Sequence, residues 1–213
     1  MREETTAGTA TVVIIDDDEA VREALEGLLE SVGLEAKSFA SVQHYADLQP
    51  AVDVGCMVLD VRLPGRSGLD FQTELAKSGN GLPVIFISGH ADVAMSVRAM
   101  KAGAFEFLTK PVHHQQLLDA IQLAIAHHRV QRVLERRLVA HRARFETLTA
   151  REREIAQMVV AGLRNKQIAG DLGLSEATVK LHRGHAMRKM EAESVVDLVR
   201  IIDSLMPQAA KLS

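Results

Sequence analysis

Three consecutive aspartates, Asp16-Asp17-Asp18, follow the apolar run Val12-Val13-Ile14-Ile15, and later apolar runs end on groups suited to the same chemistry. Cys56-Met57-Val58-Leu59 ends on Asp60, and Val84-Ile85-Phe86-Ile87 ends on Ser88. Phe105-Glu106-Phe107-Leu108 leads to Thr109-Lys110-Pro111. If these runs are parallel strands of one sheet, their carboxyl ends gather acids, a hydroxyl and an amine at one edge. Carboxylates that close repel, and at least one is driven toward protonation unless a cation intervenes. Mg²⁺ takes oxygen ligands, uses one or two carboxylates and keeps several waters. The expected ligands are Asp17, Asp60 and the backbone carbonyl of Arg62, with Asp16 acting through water. An aspartate beside a metal ion and an ammonium can attack phosphorus. Phosphoryl transfer asks the protein mainly to position groups and neutralise charge. Lys110 and Mg²⁺ would do this, and Ser88 would hydrogen-bond a phosphoryl oxygen of the product. Taken singly, the same residues have plainer uses: Asp16 to Asp18 as a helix cap, Ser88-Gly89 as a turn, Phe107 as core.

The elements that must hold these groups follow from pattern. Strand-like runs lie near 11–15, 34–39, 56–60, 84–87 and 104–108. Helical patterns stand between them. Val21, Leu25, Leu28 and Val32 share a face over 19–32, with Gly33 as a stop. Leu69 pairs with Leu75 over 68–77, before Ser78-Gly79-Asn80-Gly81. Val93, Val97 and Met100 lie together over 92–102, stopped by Gly103. Strands alternating with helices imply a parallel sheet covered on both faces. From 113 the pattern is helical, with Leu117, Ile121 and Ile125 as a stripe and Leu134 and Leu138 continuing the spacing. The Arg-rich stretch from Val130 to Phe145 has no Gly or Pro and predicts a semi-rigid helical connector, self-associating or simply solvated.

Length and charge agree with two domains. The 213 residues carry a net charge of −3 that conceals an asymmetry. Residues 1–128 hold 9 Lys+Arg against 18 Asp+Glu, and residues 129–213 hold 16 against 10. An acidic half joined to a basic half suggests different partners. The single cysteine, Cys56, excludes an internal disulfide and reads as a buried hydrophobe. No stretch approaches the length of a membrane span, and no basic-then-apolar leader is present. The expected compartment is the cytoplasm, with no membrane partner.

In order and at each strand end, these residues resemble the receiver domain of two-component response regulators. The resemblance covers the acidic pair Asp16 and Asp17, Asp60, Ser88 and Lys110-Pro111. It extends to the loop Asp60-Val61-Arg62-Leu63-Pro64-Gly65-Arg66-Ser67-Gly68 and to Met100-Lys101-Ala102-Gly103-Ala104. It implies a doubly wound five-stranded α/β fold of strand order 2-1-3-4-5. It also implies that Asp60 accepts a phosphoryl group from a histidine kinase, and that Phe107 is a switch aromatic acting with Ser88 and Lys110.

The basic half is all helix. Thr149-Ala150-Arg151-Glu152 is a capping box, and Ile155, Met158 and Val159 follow as an apolar face. A short helix from Asn165 to Leu172 ends at Gly173. Ser175 then caps a longer one running to about Glu191, and a last helix starts near Ser194 with Val195, Leu198, Val199 and Ile202. This is a helix-turn-helix. At 100° per residue, Val179, Ala186 and Met190 face the core while Lys180, Leu181, Gly184 and Arg188 face out. Arg183 falls at the core rim, suited to an ion pair or a phosphate contact. The segment resembles the LuxR-type DNA-binding domain of the NarL/FixJ regulators. The matching stretches are Gly162-Leu163-Arg164-Asn165-Lys166-Gln167-Ile168-Ala169 and Leu174-Ser175-Glu176-Ala177-Thr178-Val179-Lys180-Leu181-His182. Its expected DNA contacts are Lys166, Thr178, Lys180, Leu181, Gly184 and Arg188. Gly184 departs from a base-reading pattern, having no side chain to read with.

Together these readings predict a receiver over 10–126, a helical linker over 127–145 and a DNA-binding domain over 146–207. Phosphorylation of Asp60 would drive homodimerisation and binding to double-stranded promoter DNA, with RNA polymerase a candidate further partner. Slow self-dephosphorylation is the only catalysis expected. The competing reading is an enzyme: Asp16-x-Asp18 resembles the aspartate pair of haloacid-dehalogenase-type phosphatases. There the nucleophile lies on the first strand, whereas here the acceptor loop follows the third.

Overall fold

The computed structural model describes residues 9–78, 81–89 and 93–205. The Gly79-Asn80 part of the expected helix stop, the start of the 92–102 helix and the last two residues of the 146–207 domain lie outside them. The chain divides into two compact units between Val133 and Leu134. Residues 127–133, read from sequence as linker, therefore fall in the first unit.

In the first unit a five-stranded parallel sheet has the order β2-β1-β3-β4-β5. The strands are β1 (Thr11–Ile15), β2 (Glu35–Phe39), β3 (Gly55–Asp60), β4 (Val84–Ser88) and β5 (Glu106–Thr109). The helices are α1 (Glu19–Ser31), α2 (Val42–Leu48), α3 (Gly68–Ser78), α4 (Val93–Lys101) and α5 (His114–Glu146). β1, β3 and β4 are buried along their whole length, which explains their unbroken apolar runs. Alternate residues feed two cores. Val13, Ile15, Met57, Leu59 and Phe86 pack with α2, α3 and α4 through Tyr45, Phe71, Leu75 and Ala99. Val12, Ile14, Val58, Ile85 and Leu108 pack with α1 and α5 through Leu29, Leu117, Ile121 and Ile125. Cys56 lies in this second core, its thiol pushed up to about 12 by burial.

Three local features differ from the sequence reading. α2, which periodicity did not reveal, is two turns long and buries Val42 and Tyr45. Its start is marked by Ser41, whose hydroxyl accepts from His44 N–H at 3.1 Å. On α1 the fully buried residue is Leu29, while Val32 is 46% exposed. On α4 the Val93, Val97 and Met100 stripe faces out, at 81%, 44% and 46% exposure, and Ala99 takes the core position. Periodicity groups residues on a face, but it does not say which face is covered.

α5 is tied to the N-terminal end of β3 beyond its apolar stripe. The Gly55 N–H donates to Nδ1 of buried His128 at 3.0 Å. Arg132 Nε donates to the Asp53 carbonyl at 3.1 Å. Glycine is required at position 55, because a Cβ there would lie 1.9 Å from the Thr11 carbonyl oxygen.

The second unit contains α6 (Ala150–Val160), α7 (Asn165–Leu172), α8 (Glu176–Lys189) and α9 (Val195–Leu205). Ile155, Ile168, Val179, Met190 and Leu198 are fully buried at its centre. The Thr149–Glu152 capping box is present, and Ser175 Oγ caps α8 by accepting from Thr178 N–H at 3.1 Å. Gly173 stands between α7 and α8 at φ +63°, the left-handed region where glycine is favoured. Among the described residues no helix is long and apolar enough to cross a membrane.

Candidate functional site

The parallel register brings the carboxyl ends of β1, β3, β4 and β5 together. Ile15 pairs with Leu59, Asp60 with Ile87, and Ser88 with Thr109. Asp16 follows β1 directly, Asp60 ends β3, Ser88 ends β4 and Lys110 follows β5. Asp16, Asp17 and Asp60 each present a carboxylate oxygen within 4.8 Å of the others. Lys110 Nζ bridges two of them, donating to Asp16 Oδ2 at 2.9 Å and Asp60 Oδ2 at 2.6 Å. The Lys110-Pro111 peptide is cis.

Each carboxylate is fixed by its loop. Asp16 Oδ1 accepts from Asp18 N–H at 3.0 Å, and the Asp16 carbonyl accepts from Arg22 Nη1 at 2.8 Å. Asp18 is turned to α1 and caps it, accepting from Ala20 N–H at 2.9 Å. The cap thus takes one residue of the triplet and leaves Asp16 and Asp17 to the cluster. Asp60 Oδ1 accepts from Arg62 N–H at 2.7 Å, which tightens the loop that follows β3. A second glycine is needed here: a Cβ on Gly68 would lie 2.4 Å from the Asp60 carbonyl oxygen.

Burial drives the Asp16 carboxyl above the usual carboxylate range, and the Lys110 ammonium and Asp18 N–H only partly offset it. Repulsion from Asp60 is the smallest contribution, so desolvation rather than crowding is the main cause. Burial alone would lower Lys110. Its hydrogen bonds to Asp60 and Asp16 outweigh that and hold it above its ordinary value. Buried Asp16 and Asp60, which share the Lys110 ammonium, and exposed Asp17 beside them form a hard-oxygen donor set that fits a divalent cation. Ser88 is 1% exposed. Phe107 is partly buried against the core, its ring 6.1 Å from that of Phe86.

In the second unit Lys180, Leu181, Gly184 and Arg188 line one shallow depression of about 380 Å³ on α8, with Ala177 and His185. Leu181 is 57% exposed. Lys166 stands exposed at the start of α7, outside that lining. Thr178 is also outside it, its hydroxyl 2.8 Å from Ser175 Oγ within the α8 cap. Arg183 Nη1 donates to Asn165 Oδ1 at 3.0 Å and ties α8 to α7. Sequence reasoning passed over Glu152 as more than a cap residue. It is 3% exposed and accepts from Lys189 Nζ at 2.6 Å and Thr149 N–H at 2.9 Å. Burial would raise it, but Lys189 and Thr149 bring it down to about 2. His185, also passed over, places Nδ1 3.6 Å from Glu152 Oε1.

A five-stranded sheet of this order with acids, a hydroxyl and a lysine at its carboxyl edge defines a receiver, and the capped helix pair defines a helix-turn-helix DNA-binding unit. Comparison with known proteins agrees. Residues 12–122 match the response regulator receiver domain and residues 146–202 match the bacterial regulatory proteins of the luxR family. Nodulation protein W of Bradyrhizobium diazoefficiens is 47% identical over 92% of this chain and 86% of its own length. Transcriptional regulatory protein FixJ of Rhizobium meliloti is 40% identical over 90% of this chain and 94% of its own length. The solved structure of response regulator StyR has 42% identity and a TM-score of 0.81, covering 92% of this chain and 98% of that one. Full-length FixJ from B. japonicum has 34% identity and a TM-score of 0.56, covering 96% and 98%. The chain belongs to the two-component response regulators that join a receiver to a LuxR-type DNA-binding domain. It is a transcriptional regulator rather than an enzyme, and the phosphatase reading is set aside. A receiver implies a histidine kinase as partner, and the LuxR-type domain implies DNA.

Proposed function

We propose that Asp60 is the phosphoryl acceptor of this regulator and that its charge state sets promoter occupancy. The observation that carries the reading is the Lys110 ammonium seated between Asp16 and Asp60 beside Asp17. An Asp60 oxygen forms the new P–O bond as the P–N bond to the kinase histidine breaks. Asp17, Asp60 and the Arg62 carbonyl are the ligands we assign to Mg²⁺, with Asp16 acting through water; the ion supplies charge neutralisation when bound. Lys110 then exchanges a carboxylate partner for a phosphoryl oxygen, and Ser88 and Phe107 follow the new charge. This is a local charge event biasing a bistable element.

The exposed Val93, Val97 and Met100 stripe on α4 supports a second copy of the receiver as the occupant of that face. Pairing two DNA-binding units joins two weak half-site contacts into one strong one. Lys180, Leu181, Gly184 and Arg188 are the residues we place in the major groove, with Lys166 at a phosphate. Thr178, whose hydroxyl also meets Ser175 in the cap of α8, is the remaining contact we assign to DNA. The reading places the protein in the cytoplasm, and RNA polymerase is the further partner of a regulator acting at the promoters it occupies.

The test is acetyl phosphate labelling of the full chain with Mg²⁺, mapping of the modified aspartate, and measurement of mass and DNA binding before and after. Label on Asp60, dimerisation, and loss of both in Asp60→Asn are expected. Label on Asp16, or an Asp60→Asn protein that still responds fully, overturns the assignment.

A further inference from the structure

Asp17 is the exposed member of the acid cluster, and among the described residues its carboxylate accepts no hydrogen bond. Asp16 and Asp60 are held through their side chains, by Asp18 N–H, Arg62 N–H and the Lys110 ammonium. Asp17 is instead held through its backbone. A peptide group is planar, so a residue's φ and ψ are set once the two groups that flank it are fixed. The group before Asp17 carries the Asp16 carbonyl, which accepts from Arg22 Nη1 at 2.8 Å. The group after it carries the Asp18 N–H, which donates to Asp16 Oδ1 at 3.0 Å. Arg22 itself has a firm base, because its N–H closes the first turn of α1 on the Asp18 carbonyl at 3.1 Å. A cation is otherwise out of place in that turn, where the helix dipole opposes it. Among the described residues the half-buried guanidinium pairs with no carboxylate.

We propose that Arg22 is a positioning residue for the cation site: by holding the Asp16 carbonyl it fixes the peptide before Asp17 and so aims that carboxylate at the ion. The inference rests on Asp17 as a Mg²⁺ ligand, as proposed above. The guanidinium then acts on the ion in two ways of opposite sign. Its positive charge repels a divalent cation. Its hydrogen bond orders Asp17 beforehand, so that less conformational freedom is lost when the ion binds. The second effect is the larger. The bond is short and partly buried, whereas a half-exposed charge is screened by water and salt. The opposed signs make the role measurable, since losing the charge and losing the hydrogen bond move the affinity in opposite directions.

The experiment is Mn²⁺ binding to the full chain, read from the electron paramagnetic resonance signal of the free ion, with Mg²⁺ added as competitor. Mn²⁺ suits the same carboxylate, carbonyl and water ligands. Arg22→Met keeps a good helix former at the position and removes both the charge and the donor. It should weaken binding of the ion that Mg²⁺ displaces by about three- to tenfold, the range of one hydrogen bond. Unchanged or tighter binding overturns the proposal, because loss of the charge alone acts in that direction. Urea unfolding without metal, followed by fluorescence of the buried Tyr45, checks that each variant keeps its receiver fold. Asp17→Asn separates aim from general support. In that background Arg22→Met should weaken binding no further, because the carboxylate it aims is gone. An equal loss in both backgrounds makes Arg22 a support of the whole unit and overturns the positioning role. If Asp17→Asn alone leaves binding unchanged, the ligand assignment is wrong and the proposal falls with it. If Asp17→Asn weakens binding and Arg22→Met does not, only the role of Arg22 is wrong.

Discussion

Replacing Lys110 with methionine isolates the electrostatics of the receiver site. The substitution keeps most of the stem and deletes the two charge-assisted hydrogen bonds at 2.9 and 2.6 Å. Such bonds contribute about 1.5–3 kcal/mol each. The Lys110 side chain is 29% exposed, so water compensates part of the loss, whereas Asp16 and Asp60 at 4% and 9% are left nearly dry. A net destabilisation of about 2–4 kcal/mol at pH 7 follows, or a fall of roughly 10 °C in the receiver transition. Tyr45 offers the assay. It is the only tyrosine, the chain has no tryptophan, and it is 5% exposed in the receiver core. Its fluorescence in urea or heat therefore follows this unit within the full chain.

The pH dependence has a definite sign. In the wild type the raised Lys110 pKa contributes stability that is complete below about 10.5 and lost as pH climbs through the folded value. In the variant, Asp16 loses the ammonium that partly lowers it. Its folded pKa then stands further above the unfolded value of about 3.8. The deficit should therefore be small near pH 4 and grow as pH rises through the folded value. Mg²⁺ at about one hundred times its dissociation constant should restore roughly 2.7 kcal/mol. A variant as stable as the wild type, or one whose deficit ignores both pH and Mg²⁺, would refute the reasoning.

Glu152→Gln should cost the DNA-binding unit about 1–3 kcal/mol. It should also remove the stability that the wild type holds above about pH 4.5 and loses between there and about 2, as far-UV dichroism in an acid titration will show. Gly55→Ala places a methyl against the Thr11 carbonyl and should destabilise the receiver by several kcal/mol, read from Tyr45 in urea. Lys180→Ala should lower the slope of log affinity against log salt by about one per protomer, measured by fluorescence anisotropy on labelled duplex. Val97→Glu sets a charge in the exposed α4 stripe and should block phosphorylation-induced dimerisation in sedimentation velocity while Asp60 labelling persists.

The receiver site was readable because strands buried on both faces show as continuous apolar runs and parallel strands must deliver their ends to one edge. Asp16, Asp60, Ser88 and Lys110 could be placed without coordinates for that reason. The bridging role of Lys110 was not readable, because it depends on which oxygens meet across 94 and 50 residues of chain. α2 escaped notice because two turns with two buried residues give no period. The outward turn of Val93, Val97 and Met100 escaped because a stripe looks the same whether the core or a partner covers it. His128 and Gly55 are 73 residues apart, and nothing in either segment announces a hydrogen bond between them. In the second unit the helical wheel placed the core and the outward face correctly. The Ser175 cap of α8 was also legible, whereas the 2.8 Å contact of its hydroxyl with that of Thr178 was not.

Cys56 gives the receiver a covalent clock. It is the chain's one thiol, it is buried, and it stands on the same strand as Asp60, paired through Val12 to the neighbouring β1. With the thiol pushed to about 12, an alkylating reagent finds almost no thiolate at neutral pH until the strand is released. The rate of modification under native conditions therefore counts openings of β3 rather than collisions with the surface. Any ligand or phosphoryl group that tightens the carboxyl end of that strand will slow the clock by the factor by which it suppresses opening. The central strand thus carries Asp60 at one end and, inside it, a chemical gauge of how firmly that end is held.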